Sequence, residues 1–306
     1  MILNGENING WINFNKPEGL SSFKCIYLLK KIIKIKKIGH AGTLDPLASG
    51  VLPIALGEAT KTIRFAFESK KTYLFRINWG SETSTDDKEG EVINYSIQRP
   101  NKKSILEKIK LFRGEIFQKP PNYSAIKING KRAYELARSG KTPKLEDRKI
   151  KIYDFNLVKI LNKNEAEFFV KCQKGTYVRS LARDLGKELG VFGHVSCLKR
   201  ESVGNFFKKQ SISLDQIEKL SHYSAKQDII KPILYPINKN DIVEVSKEIS
   251  DNLAKGKKII IESLIDKFDF DRIKVGSFFI VALQNNPIAI CLIEDGIVKP
   301  KRVFNI

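Results

Sequence analysis

The stretch Gly39–Lys61 reads GHAGTLDPLASGVLPIALGEATK, and it decides the interpretation of the whole chain. Within it, Asp45 is the only carboxylate before Glu58. The surrounding glycines allow tight turns, and Pro46 restricts the backbone directly after the acid. The apolar run Val51–Leu56 is typical of a buried strand or a helix start rather than a solvated loop. We therefore interpret Asp45 as a candidate catalytic acid, although an isolated Leu-Asp-Pro is more often only a turn.

Five further motifs flank this stretch. They are NGWINFNKPEGLSS from Asn9, KTY at Lys71–Tyr73, QKPPNYSAIK at Gln118–Lys127 with Gly130, Arg132 and Tyr134 behind it, GTYVRSLARDLG at Gly175–Gly186, and HVSCLKR at His194–Arg200. With the first stretch, their order and spacing across residues 9–205 resemble the TruB family, the bacterial tRNA pseudouridine-55 synthases. The resemblance implies an α+β fold, with a mixed-sheet catalytic domain crossed by an active-site cleft and a small C-terminal β-barrel of the PUA type.

The resemblance also implies an activity. Members of the family convert uridine 55 in the T-loop of tRNA to pseudouridine after flipping the base. The sequence has no phosphate-binding or dinucleotide-binding glycine fingerprint between a strand and a helix, so we expect no cofactor. By resemblance, Asp45 is the nucleophile, and Arg179 is the cation that pairs with it. A cation is needed because burial disfavours an ionised carboxylate. Attack at the sugar, addition to the base and assistance to a glycal intermediate all stay open at this point.

Five more residues are candidates for substrate binding on the same resemblance. Tyr73 would stack on the extruded uracil and is a candidate for proton transfer, and Leu198 would cover the opposite side of the pocket. Tyr177 would contact the substrate near the nucleophile, His40 would stack where the flipped nucleotide leaves its neighbours, and Lys61 would add charge at the pocket rim. By pattern alone, Tyr73 and Leu198 are core residues and His40 is a loop histidine.

The turn Thr83–Asp87 departs from the family pattern. Relatives often carry Thr-Asp-Thr-x-Asp here, whereas this chain has Ser84 in place of the first acid. We infer that Asp87 is the retained second acid and expect it to orient His40.

Composition is less specific than these motifs. A chain of 306 residues favours two domains, and we place them at residues 1–235 and 236–306. The net charge of +20 points to a polyanionic partner such as tRNA, although heavy use of Lys, Ile and Asn throughout is also compatible with a coding bias. No targeting segment or apolar run of membrane-spanning length occurs, so we expect a soluble, cytoplasmic protein. Four dispersed cysteines indicate buried reduced thiols rather than disulfides or a metal site.

Local patterns place the motifs on elements. A helix capped by Ser21 or Ser22 carries lysines on its outer side, namely Lys30, Lys31, Lys34 and Lys37, and both phosphate contact and plain solvation remain open for them. Residues 72–79 form a strand with Tyr73 on its apolar face, and a helix begins at Val178. Short β runs after residue 241 predict the small barrel, which either binds RNA or only adds stability.

Two other functional classes compete with the stand-alone enzyme. A non-catalytic RNA-binding protein would be favoured by loss of Asp45 or Tyr73, and both are present. An RNA-guided synthase of ribonucleoprotein particles predicts basic extensions and partner proteins, whereas this chain ends shortly after the β module. We therefore expect a monomeric tRNA-modifying enzyme without an obligate protein partner.

Overall fold

The computed structural model describes residues 8–221, 229–261 and 276–306. The strands are β1 (Gly10–Lys16), β2 (Ile38–His40), β3 (Ala48–Leu56), β4 (Lys71–Trp79), β5 (Ser81–Thr83), β6 (Val92–Tyr95), β7 (Gly114–Gln118), β8 (Lys127–Ile128), β9 (Lys131–Arg132), β10 (Arg148–Asn162), β11 (Glu165–Cys172), β12 (Gly193–Val203), β13 (Phe206–Phe207), β14 (Ile230–Lys231), β15 (Ile242–Glu244), β16 (Ile259–Ile260), β17 (Phe278–Leu283), β18 (Asn286–Glu294) and β19 (Ile297–Val303). The helices are α1 (Ser22–Ile33), α2 (Ile63–Glu68), α3 (Lys102–Lys108), α4 (Ala133–Arg138), α5 (Val178–Glu188), α6 (Leu214–Ser221) and α7 (Lys247–Ala254).

A mixed ten-stranded sheet forms the framework of the catalytic region. Its order is β14-β1-β3-β12-β4-β11-β10-β7, with β2 paired to β3 and β13 to β12. Strand β12 runs parallel to β3 and antiparallel to β4. Because β3, β12 and β4 are central neighbours, they bring three distant sequence motifs side by side. The predicted mixed sheet is confirmed.

Helix α1 shows why the sequence folds this way locally. The Ser21 hydroxyl accepts a hydrogen bond from the backbone N–H of Lys24 at 3.1 Å, which satisfies one of the free donors at the helix start. Cys25, Leu29 and Ile33 then recur at helical spacing and are buried against the sheet. The helix ends where Lys34 adopts a left-handed conformation, as C-terminal caps commonly do.

The C-terminal module is a five-stranded sheet of order β15-β17-β18-β19-β16, curled into a half-barrel. Its own core includes Phe279, Val281 and Cys291. A second apolar cluster joins it to the catalytic sheet, since Trp11 and Phe304 belong to the same cluster. The predicted division at residue 235 and the RNA-binding role of the module stay predictions.

Two expectations about the chain as a whole concern its thiols and membrane spans. Cys25, Cys172 and Cys291 are buried and unpaired as predicted, while Cys197 is half-buried. In the ranges that the structure describes, no helix has both the length and the apolar character needed to cross a membrane.

Candidate active site

The loop that carries Asp45 is fixed by hydrogen bonds from three directions. The Ser22 hydroxyl donates to the Leu44 carbonyl and accepts from the Leu44 N–H, both at 2.9 Å. The Gly19 N–H donates to the Pro46 carbonyl at 2.8 Å, and the buried ammonium of Lys16 lies 3.3 Å from the same oxygen. Since both residues flanking Asp45 are held through their backbones, the loop presents the acid in one orientation.

Arg200 fixes the same loop from the other side. Its guanidinium, almost completely buried, donates to the carbonyls of Gly42 at 2.9 Å, Thr43 at 3.5 Å and Val51 at 2.7 Å. The first two carbonyls lie in the loop and the third in β3, so one side chain ties the loop to the sheet. Burial lowers the pKa of Arg200, and the nearby Tyr73 hydroxyl and Asp45 carboxylate oppose that change.

The Asp45 carboxylate forms a close ion pair with Arg179, which enters from the first turn of α5. The distance from Asp45 Oδ2 to Arg179 Nε is 2.9 Å, and the Asp45 side chain is 36% exposed while Arg179 is buried. The N–H is not well aligned with the oxygen, so the contact is ionic rather than a directed hydrogen bond. The acid therefore lies next to a fixed cation while one side of it stays open to a substrate.

Arg179 is itself held in place by its other nitrogens. They donate to the carbonyls of Thr85 at 2.8 Å and Tyr123 at 3.0 Å, and Nη1 lies 3.5 Å from Asp87 Oδ2. The expectation that Asp87 orients His40 is wrong, because the Asp87 carboxylate is taken up by Arg179, the Thr85 hydroxyl and a backbone N–H. Asp87 instead helps to fix the cation that faces the candidate nucleophile.

Two strands supply the walls of the pocket. Tyr73 on β4 lies directly opposite Arg200 on β12, and Leu198 lies opposite Phe75 in the same register. Residues two apart on a strand share a face, so Leu198 and Arg200 face the cleft together. Burial raises the pKa of the Tyr73 hydroxyl, and the guanidinium of Arg200 opposes that rise. Tyr73 is thus a neutral hydroxyl beside a buried cation.

Tyr177 immediately precedes α5 and closes another side of the pocket. The amide side chain of Gln118 accepts from the Tyr177 N–H at 2.9 Å and donates to the Tyr177 carbonyl at 3.1 Å. This reciprocal pair joins the end of β7 to the start of α5. Burial raises the pKa of Tyr177, so its hydroxyl also stays protonated near neutral pH.

The pocket itself has a volume of about 430 Å³ and is strongly cationic. Among its lining residues within the described part of the chain, Asp45 is the only carboxylate. The cations are Lys71, Arg132, Arg148, Arg179 and Arg200. Burial lowers the pKa of Lys71 to about 8, which leaves its ammonium mostly charged at neutral pH. A pocket of this size suits one nucleotide, and its charge favours a substrate that carries phosphate.

The structure does not bring the remaining two candidates into this pocket. His40 ends β2 and is half-buried; burial, and then the charge of Arg200, lower the pKa of its imidazole. The ammonium of Lys61 forms an ion pair with Glu58 and donates a hydrogen bond to the Val303 carbonyl at 2.7 Å. The expected place of Lys61 at the pocket rim is therefore corrected to a contact with the C-terminal module.

Comparisons with known proteins agree with this geometry. Residues 30–178 match the model of the TruB family pseudouridylate synthase N-terminal domain, and residues 179–240 match that of the tRNA pseudouridylate synthase B C-terminal domain. The tRNA pseudouridine synthase B of Ehrlichia chaffeensis is 42% identical over 298 residues, covering 97% of this chain and 99% of the relative. The chain belongs to the TruB family. The tRNA pseudouridine synthase B of Bradyrhizobium diazoefficiens is 39% identical, covering 98% of this chain and 87% of that protein.

Solved structures support the fold of this TruB family member. The archaeal box H/ACA sRNP Nop10-Cbf5 complex matches with a TM-score of 0.75 at 23% identity, covering 97% of this chain and 86% of that chain. A Cbf5-Nop10-Gar1 complex gives the same TM-score at 25% identity, covering 97% and 85%. The two family models meet between residues 178 and 179, at the start of α5, so their boundary is not a break in the structure.

Several residues that shape this TruB-type pocket were not predicted as site residues. Arg200 and Arg132 lie in motifs quoted in the sequence analysis, but no local pattern of apolar and polar residues predicts a role for them in the site. Lys16, Lys71 and Arg148 are further examples. A usable signal is a lysine or arginine inside an otherwise apolar strand motif, because a charged residue at a core position needs specific partners.

Proposed function

We propose that the protein isomerises uridine to pseudouridine at position 55 in the T-loop of tRNA. The observation that carries the proposal is one carboxylate, Asp45, paired at 2.9 Å with Arg179 in a pocket whose other charged lining residues, in the described chain, are all cations. A nucleophile next to a fixed cation, surrounded by phosphate-binding charge, suits chemistry on a nucleotide. Family membership supports the same reaction.

The reaction moves one bond and needs no electron donor or acceptor. The bond between N1 and C1′ breaks, the base turns, and C5 bonds to C1′; the proton on C5 is lost and N1 gains one. The ionised carboxylate of Asp45 acts as the nucleophile. Attack at C1′, addition to the base and assistance to a glycal each require an accessible carboxylate, and the Arg179 contact leaves one side of Asp45 open.

The uridine must leave its stack before it reaches Asp45, because the acid lies inside a pocket rather than on a flat surface. We propose that the aromatic ring of Tyr73 stacks on the base, that Leu198 covers another side, and that Tyr177 contacts the nucleotide near the nucleophile; that all three line the pocket supports these roles. The hydroxyl of Tyr73 is the candidate for moving the proton. His40, outside the pocket, is proposed to stack at the point where the nucleotide leaves the RNA.

We also propose that the protein is a monomer that acts without an obligate protein partner. Since the proposed substrate is tRNA, we propose that the protein works in the cytoplasm. Light scattering on the purified protein, with and without tRNA, measures the oligomeric state.

The test of the function is to incubate purified protein with an unmodified tRNA transcript, without added cofactor, and to map pseudouridine along the product. We expect it at position 55 and nowhere in a control transcript with cytidine at that position. Binding of the transcript without any pseudouridine would contradict the proposal and would instead indicate a non-catalytic RNA-binding protein.

A further inference from the structure

We propose that the outer surface of helix α1 is a second RNA-binding surface, which holds the strand next to the nucleotide in the active site. The inference rests on the proposed function, since it assigns further contacts to the same RNA substrate. We call this surface the α1 face. Its members share exposure to solvent and are either aromatic or cationic: Phe23, Lys24, Tyr27, Lys30, Lys31 and Lys34.

The aromatic residues of the α1 face are unusually exposed. The side chain of Phe23 is 79% exposed and that of Tyr27 is 44% exposed. They are four residues apart, so they are neighbours on the helix surface. Large aromatic rings exposed next to cations are the arrangement on which proteins stack the bases of single-stranded nucleic acid. The α1 face therefore offers base stacking and not only charge.

The lysines of the α1 face carry charge that no neighbouring acid neutralises. Within the described ranges, none of its four lysines forms an ion pair, and the sequence contains no Asp or Glu between Glu18 and Asp45. Elsewhere on the surface lysines do pair, for example Lys149 with Glu115 at 2.7 Å. The first turn also lacks the acid that the helix dipole would favour. The α1 face is thus a cationic surface that attracts phosphate.

The start of α1 is hydrogen-bonded to the loop of the candidate active site. At its start, Ser22 exchanges hydrogen bonds with Leu44, which precedes Asp45 in the chain. After its end, the chain continues through Lys34 into β2, which terminates at His40. A helix of 12 residues is about 18 Å long, enough to follow several nucleotides. Its exposed surface consequently begins beside the loop that carries Asp45 and extends away from that loop along the helix.

A second copy of the chain is a poorer occupant for this surface. In a two-fold symmetric contact the same patch faces itself, which would oppose lysine to lysine. In the described structure, the ammonium groups of Lys24 and Lys31 lie 5.2 Å and 4.6 Å from the Tyr27 ring centroid, so two positive charges are concentrated around one ring. A polyanion would neutralise these charges, whereas a second cationic face would be repelled by them.

The experiment compares three double variants of the full chain with the wild type. Lys24→Gln with Lys31→Gln removes charge, and Phe23→Ala with Tyr27→Ala removes the aromatic rings. Lys102→Gln with Lys103→Gln is the matched control, since these two lysines are also exposed on the surface of a helix, α3. For each protein we would measure the affinity for unmodified tRNA transcript between 50 and 300 mM KCl and the single-turnover rate at saturating RNA.

We expect different signatures from the two test variants. Loss of the lysines should weaken binding and reduce the slope of log affinity against log salt by about 1 to 2. Loss of the rings should weaken binding by about fivefold or more with little change in slope. The rate at saturating RNA should stay within twofold of wild type in both, because the catalytic residues are untouched.

Other outcomes separate this inference from the proposed function. If wild type forms pseudouridine and both test variants bind tRNA like the control, RNA binding by the α1 face is disproved while the proposed function stands. A change confined to oligomeric state, measured by light scattering, would also overturn it by assigning the surface to a second copy. If wild type binds tRNA through the α1 face but forms no pseudouridine, the function fails and this inference survives.

Discussion

Replacement of Arg200 by lysine separates the fixing of the catalytic loop from the presence of a positive charge. The arginine holds carbonyls of Gly42, Thr43 and Val51 at once, at 2.9, 3.5 and 2.7 Å. A lysine keeps the charge but has a single nitrogen, so it cannot span the loop and β3 in the same geometry. The loop that carries Asp45 should then shift relative to Arg179.

The expected magnitudes follow from these contacts. One of the two short hydrogen bonds is lost and leaves a buried carbonyl without its donor, which should lower the free energy of unfolding by about 2–3 kcal/mol. A displacement of about 1 Å at a catalytic group costs on the order of 100-fold in rate. We therefore expect the single-turnover rate of pseudouridine formation to fall about 100-fold, while tRNA affinity changes by less than about threefold because the surface is unaltered.

The assay combines urea denaturation, tRNA binding and single-turnover kinetics on one preparation. The matched control is Arg76→Lys, the same substitution on the neighbouring strand β4, where the guanidinium pairs with Glu167 at 2.9 Å near the surface. The control should keep wild-type turnover. An Arg200→Lys protein that is destabilised as expected but turns over at the wild-type rate would refute the reasoning, since the hydrogen bonds of Arg200 would then stabilise only the fold.

Two further predictions concern stability. Gly50→Ala should lower the free energy of unfolding by about 3 kcal/mol or more, because the new Cβ would lie 2.3 Å from the Arg200 carbonyl oxygen at a φ of +103°. The control is Gly140→Ala, where φ is +76° and the space around the residue is open, and it should lose only about 1 kcal/mol. Equal losses for the two variants in urea titrations would contradict the predicted clash. Burial raises the pKa of Asp86 to about 6 despite its ion pair with Arg183. A carboxyl whose pKa is higher in the folded state contributes stability below the unfolded-state pKa, and this contribution is lost as pH rises through the folded-state pKa. Between pH 4 and 6.5, the free energy of unfolding of wild type should therefore fall by on the order of 2 kcal/mol relative to that of Asp86→Asn. Parallel stability curves for the two proteins over that range would disprove the assignment.

The parts of this protein that the sequence predicted correctly depend on local patterns. Alternation of apolar residues placed Tyr73 on the buried face of β4, and that strand buries the residues as expected. The Ser21 cap and the helical spacing after it defined α1. These features follow from turns, caps and periods of a few residues, which physical chemistry fixes without knowledge of the rest of the chain.

The parts that failed or were missed depend on contacts between distant segments. Lys61 contacts the carbonyl of Val303, 242 residues away, so no local pattern could have moved it from the pocket rim to the C-terminal module. Asp87 was expected to orient His40, and only the fold shows that it lies next to Arg179 instead. Arg200 lies on a strand whose charged positions are normally exposed, and it is buried because β12 lies between β3 and β4.

The central claim is that the Asp45 carboxylate performs the chemistry in a pocket that binds RNA through its cations. The most direct test is Asp45→Asn, which keeps the size of the side chain and removes its charge and nucleophilicity. The measurement is pseudouridine at position 55 under single-turnover conditions, with tRNA affinity determined on the same protein. We predict no detectable pseudouridine and an affinity within about threefold of wild type, because only a chemical group is lost. Turnover by Asp45→Asn at a rate close to that of wild type would contradict the account.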